Sequence, residues 1–116
     1  MKTSFMREFK AHFVGLANPT RLAIIAELVA GDATGSELAR RLKVSQPLLS
    51  WHLRIMRRAG LITTRRAGRE LVCALDRSGI RRYQDRFSRF IGGVEEADAV
   101  GHAVMADINK ETVNAV

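Results

Sequence analysis

Between residues 46 and 59 the side chains able to bind a polyanion are sorted onto one side of a helix. At 100° per residue Gln46, Pro47, Ser50, Trp51, Arg54, Arg57 and Arg58 fill one contiguous arc, and Leu48, Leu49, His52, Leu53, Ile55, Met56 and Ala59 fill the other. The first arc carries arginines and hydrogen-bonding groups without a carboxylate. That is the chemistry of a helix lying in a DNA major groove, against phosphates and base edges. The amide of Gln46 suits a bidentate contact to adenine, and Ser45, just before the helix, suits a cap that also donates to phosphate.

A helix of this kind needs a scaffold, and the flanking sequence supplies one. Thr34 or Ser36 can cap a short helix over Glu37 to Leu42, Val44-Ser45 makes a tight turn, and Ser45 caps the next helix, with Pro47 harmless in its first turn. Two short helices so joined form a helix-turn-helix over residues 34–59. Gly60 ends the second one, and the period then changes to two. Ile62 to Arg66 and Glu70 to Leu75 read as strands around Ala67-Gly68-Arg69, with Leu71, Cys73 and Leu75 on one face and Arg65, Arg66 and Arg69 near the tip. A hairpin in this place, residues 61–76, is a wing.

Two further segments carry aromatic seams. Phe5, Phe9, Phe13 and Leu16 share a face in residues 1–17, a segment closed by Asn18-Pro19 before a short apolar helix over Arg21 to Ala30 that belongs in the core. From Ser78 a long helix presents Ile80, Tyr83, Phe87, Phe90, Ile91 and Val94 within about 100°, a seam narrow enough for an oligomer contact, with Gly92-Gly93 as a break. The first seam wants burial, and the second reads more like an oligomer contact than a core face. The expected fold class is mainly α with a small β-hairpin wing, one domain over residues 1–116.

Composition agrees with this plan. The net charge is +7, and residues 33–90 hold fourteen basic against four acidic groups, whereas residues 91–116 hold one against five. A basic zone around an amphipathic helix fits a double-stranded DNA partner whose binding weakens steeply with salt. The lone Cys73 cannot form an internal bridge, no Cys/His spacing suggests structural zinc, and the apolar run Leu22 to Ala30 is too short to cross a bilayer. A cytoplasmic protein without membrane or cofactor is expected. An enzyme is disfavoured, because no nucleophile stands with a partnered base and no Gly-rich phosphate loop is present.

From Leu16 to Leu75 the feature order, with "LANPTRLAIIAEL" and "SELARRLKVSQPLLSWHLRIMRRAGLI", resembles the ArsR/SmtB family of bacterial winged helix-turn-helix repressors. The resemblance implies a homodimer that holds a palindromic operator until an effector releases it, paired through its first and last helices, here residues 1–17 and 77–112 with Phe5, Phe9, Phe13, Ile80, Tyr83, Phe87 and Phe90. Carried over by position, groove contacts fall on Ser45, Gln46, Pro47, Ser50 and Trp51, and phosphate contacts on Arg54, Arg65, Arg66 and Arg69. Trp51 departs from the family's smaller polar or basic residue; it can stack on sugar, touch a thymine methyl, or fold back on the domain. The family's Cys-x-Cys positions hold Thr34 and Ser36, and its zinc-type ligand positions hold Asp76, Ser78, Arg89 and Gly92, so the effector is expected to differ from the usual bound metal or metalloid.

Weaker features each have two readings. Asp98 and His102, with Glu95 a turn earlier and His12 or a second subunit completing the set, could hold nickel, cobalt or zinc, but an Asp/His pair four apart is more often a plain surface pair, and no metal is expected. His12 and His52 read as packed, hydrogen-bonded imidazoles, and Cys73 as a small core residue rather than an oxidant sensor. The alternative to DNA binding is a winged-helix module docking on an acidic protein, for which the outward arc offers only Pro47 and Trp51 as anchors.

Overall fold

The computed structural model of the chain describes residues 2–93, 101, 102, 105, 106 and 108–110, with side chains from Met6 onward. Among these, the elements run α1 (Lys2–Leu16), α2 (Pro19–Ala30), β1 (Ala33–Thr34), α3 (Gly35–Leu42), α4 (Gln46–Arg58), β2 (Ile62–Ala67), β3 (Glu70–Leu75) and α5 (Arg77–Ile91). The arrangement is a mainly helical winged helix-turn-helix with a three-stranded antiparallel sheet. No single described helix is long and apolar enough to cross a membrane.

Local chemistry explains most boundaries. The Asn18 side chain accepts from the Arg21 amide at 3.1 Å, and Pro19 occupies the first turn of α2, which leaves α1 at an angle of 84°. Thr34 and Glu37 make a reciprocal cap at α3, both bonds 3.1 Å long. The turn to α4 passes through Lys43 in the left-handed region (φ 56°), and the Ser45 hydroxyl accepts from Leu48 N at 3.3 Å. Gly60 (φ 72°) turns the chain out of α4, where a side chain would press within 3.2 Å of the Tyr83 ring. Asp76 then closes the wing through a 2.9 Å bond from its amide to Leu61 O, and its carboxylate caps α5 at the Gly79 amide (3.0 Å).

Ile24, Leu28, Leu38, Leu49, Met56, Leu61 and Cys73 form the centre of the core, with Ile62 beside them. The sheet order is β1-β3-β2, so β3 is central: Ala33 pairs with Cys73 and Thr34 with Val72 on one side, and Ile62 through Ala67 pair with Leu75 through Glu70 on the other. This adds a strand to the hairpin expected from sequence, because two residues are too few to display a period. The strands also reach one residue further, to Ala67, leaving a two-residue turn at Gly68-Arg69. Gly92 and Gly93 end α5 as expected, and the described residues between 101 and 110 are helical.

Candidate nucleic-acid interface

Helix α4 sorts its side chains as the wheel requires. Gln46, Pro47, Ser50, Trp51, Arg54, Arg57 and Arg58 are all exposed, and Leu49, His52, Leu53, Met56 and Ala59 are buried. Leu48, 44% exposed, and the half-buried Ile55 depart from the apolar side. Both stand at the margin of their arc, about 100° of rotation from Leu49 and Met56. Trp51 is 51% exposed, with an edge contact to its neighbour His52 at 5.1 Å between ring centroids, so it has not folded into the domain.

Arg54, Arg57, Arg58, Arg65, Arg66 and Arg69 make no ion pair or side-chain hydrogen bond among the described residues, whereas Arg41 is held by Glu27 (3.5 Å) and Glu37 (2.8 Å). These six exposed guanidiniums, three on α4 and three on the wing, are therefore available to an outside anion. The wing register adds a distinction. With Thr64 opposite Cys73 and Arg66 opposite Leu71, Arg66 lies on the hairpin face that looks toward the core, while Arg65, opposite Val72, lies on the other. Between α4 and the wing is a cleft of about 160 Å³ lined by Ser50, Leu53, Arg54, Arg57, Thr64 and Leu71. Arg57 and Thr64 extend the site set named from sequence. Arg57 was legible, at i+7 from Ser50 on the same helix face, but Thr64 depends on how the hairpin docks.

Two buried imidazoles fix α4 to the scaffold. His52 Nδ1 accepts from Arg21 Nη1 at 3.2 Å, since a guanidinium only donates, and His12 Nδ1 donates to Ala59 O at 2.7 Å while its ring stacks on Tyr83 at 4.2 Å. Burial, reinforced by the Arg21 charge, holds His52 below its ordinary pKa of 6.5. Burial lowers His12 as well, partly offset by its bond to Ala59, with Arg82 adding to the lowering. Both folded-state values lie below the unfolded one, so the unfolded chain binds more protons as acid is added. The stabilisation is full above about pH 6.5 and is lost as pH falls through that value toward the folded pKa values. Urea midpoints should therefore drop between about pH 7.5 and pH 5.5, and less so in His52→Gln, which cannot titrate.

The aromatic residues expected to pair subunits form a cluster between α1 and α5. Phe9 and Phe13 lie 4.9 Å apart, Phe13 and Phe87 5.4 Å, and Phe9 sits 6.2 Å from both Phe87 and Phe90. Phe87 is exposed, and Ile91 beside it is 68% exposed. Tyr83 is already buried within the chain against His12, and Ile80 packs on the core, while the Phe5 side chain lies outside the described residues. Among the described residues no three His, Cys, Asp or Glu side chains gather as metal ligands. Glu95 and Asp98 lie outside the described residues, and His102 is exposed on a helix. Thr34 and Ser36 are occupied, the first in its cap and the second donating to Glu70 at 3.2 Å. Cys73 is fully buried, and burial raises its thiol pKa.

A family model described as a helix-turn-helix domain matches residues 16–65. The HTH-type transcriptional regulator Rv2034 of Mycobacterium tuberculosis is 40% identical over 75 residues, 65% of this chain and 70% of that protein. The HTH-type transcriptional repressor SmtB of the same species is 43% identical over 60 residues, which span 52% of this chain but only 44% of SmtB. The transcriptional repressor SdpR of Bacillus subtilis is 28% identical over 74% of this chain and 92% of its own length. Among solved structures, an ArsR-like transcriptional regulator from Rhodococcus sp. RHA1 superposes with a TM-score of 0.68 at 27% identity, covering 92% of this chain and 94% of that one.

Proposed function

The chain belongs to the ArsR/SmtB family of helix-turn-helix transcriptional regulators, which are DNA-binding proteins and not enzymes, and from that premise we propose that it is a homodimeric, cytoplasmic repressor of a palindromic operator. The observation that carries the proposal is the exposed side of α4, where hydrogen-bonding residues lead into unpaired arginines and no carboxylate intervenes. Gln46 and Ser50 read base edges from the first turns of α4, with Pro47 and Trp51 packing on sugar or a thymine methyl. Ser45 and Arg54 hold phosphates beside them, and Arg65, Arg66 and Arg69 do so from the wing. The exposed aromatic surface of α1 and α5 pairs two copies, and the effector acts without a cysteine thiolate pair, because the two positions that would carry it hold engaged hydroxyls.

Selection from a random duplex library should return two inverted half-sites about one helical turn, roughly 10 bp, apart. On the selected site, Gln46→Ala or Ser50→Ala should each reduce discrimination against a mismatched base by about 1–3 kcal/mol. Arg66→Ala should weaken every duplex alike and lower the slope of log K against log salt by about 0.9 per protomer. Equal losses on selected and random duplex for all three would reject these roles. Indifference to any duplex at low salt, with capture of an acidic protein, would favour the docking module instead.

A further inference from the structure

The cleft between α4 and the wing holds two polar residues that the roles above do not use, Arg57 and Thr64. Ser50, Arg54 and Arg57 stand at i, i+4 and i+7 along one rail of α4, Thr64 of β2 faces them, and Leu53 and Leu71 supply the apolar part of the lining. No carboxylate lines it. Glu70, the one acidic residue of the hairpin, falls on the strand face opposite to Leu71 and is bonded to Ser36 at 3.2 Å. Two guanidiniums that have no anionic partner among the described residues, with the Thr64 hydroxyl across from them, make a seat for a single phosphate-sized group.

We propose that this cleft holds one backbone phosphate of the bound duplex, with Arg57 and Thr64 as contacts additional to Arg54. The inference rests on the DNA-binding reading and adds to it the place where the duplex leaves α4 and meets the wing. Position along the helix decides for phosphate over base. Arg57 lies eleven residues beyond Gln46, about 16 Å along the axis. With the N-terminal residues of α4 at the base edges, Arg57 stands about three turns away from them and beside the wing, where the sugar-phosphate chain that flanks the groove is the nearer anion. The hydroxyl of Thr64 approaches the same oxygen atoms from the wing side.

Fluorescence anisotropy with a random-sequence duplex between about 50 and 200 mM salt tests this, because a backbone contact requires no operator. Arg57→Ala is expected to lower the salt slope by about 0.9 per bound protomer, and Arg57→Lys to restore it. Thr64→Val, which keeps the shape, is expected to cost about three- to tenfold in affinity at an unchanged slope. A role for Arg57 confined to the negative end of the α4 dipole would move the melting temperature and leave the slope alone, which overturns the seat. An unchanged slope in Arg57→Ala, alongside a lowered one in Arg66→Ala, also overturns the seat while the DNA-binding reading stands. Wild-type protein that binds no duplex overturns both. If inorganic phosphate, at an ionic strength matched with chloride, raises the melting temperature of wild type but not of Arg57→Ala, while their duplex affinities agree, the seat belongs to a free phosphate compound and the backbone assignment falls.

Discussion

Replacing Arg21 with alanine is expected to lower the free energy of unfolding by about 3–5 kcal/mol, seen as a reduced urea midpoint at unchanged m-value. Arg21 is only 5% exposed, although it sits in a helix that is otherwise almost wholly apolar. Its guanidinium spans three acceptors: Nε donates to Gly15 O at 2.8 Å, Nη2 to Val14 O at 3.2 Å, and Nη1 to His52 Nδ1 at 3.2 Å. The two carbonyls belong to the last turn of α1, where Val14 O also accepts from the Ala17 amide at 3.1 Å and Gly15 O has passed the end of the helical ladder. Truncation strands Gly15 O and His52 Nδ1, each at about 1–3 kcal/mol if water does not reach it, whereas Val14 O keeps the Ala17 amide. Lysine brings a point charge in place of a planar fork, so Arg21→Lys should recover only part of the loss. A loss under about 1 kcal/mol for the alanine variant would show that water replaces the guanidinium and that the angle between α1 and α2 is held by packing alone.

Gly79→Ala should destabilise by about 2–3 kcal/mol, against the direction of helix propensity, which favours alanine by about 1 kcal/mol. Gly79 lies buried in the first turn of α5, and a Cβ there would come within 2.7 Å of Gly60 O and 2.5 Å of Asp76 Oδ2. The carboxylate could swing away only by giving up the cap on α5, and the Gly60 carbonyl is backbone at the exit of α4. Relief therefore requires α5 to move off the joint between α4 and the wing. Gly101→Ala is the control, because nothing lies within 4 Å of the added methyl, and it should be neutral or stabilising by up to about 1 kcal/mol. Thermal melts of the two variants side by side separate a packing constraint from a propensity effect. Equal midpoints would mean that α5 accommodates the methyl without strain.

The α4 surface was legible in the sequence because it depends on one period acting over thirteen residues, and each full turn repeats the statement. Only Leu48 and Ile55, at the margin of the arc, were placed by the neighbouring elements rather than by the wheel. The cap at Ser45, and that at Thr34 as one of two candidates, were likewise readable, since side chain and helix start are adjacent in the chain, whereas Asn18 was read only as the end of the first segment and proves to cap α2. Strand β1 was not: it exists because Ala33 and Thr34 lie beside Cys73 and Val72, almost forty residues away. The burial of Arg21 was also hidden, because a charge in an apolar stretch reads as surface until the carbonyls of α1 come within reach. Thr64 entered the site for the same reason, as a residue with no local signal placed across a cleft by the docking of the hairpin.

His12 joins three pieces that the chain presents separately. Its ring lies against Tyr83 of α5, its backbone belongs to α1, and its Nδ1 grips the carbonyl at the end of α4. One ring contact and one 2.7 Å hydrogen bond thus connect the aromatic surface directly to the end of the recognition element. Two copies clasped at the aromatic end would act as a caliper. Its jaws would be the two α4 helices, and their opening would be set at the hinge rather than at the tips.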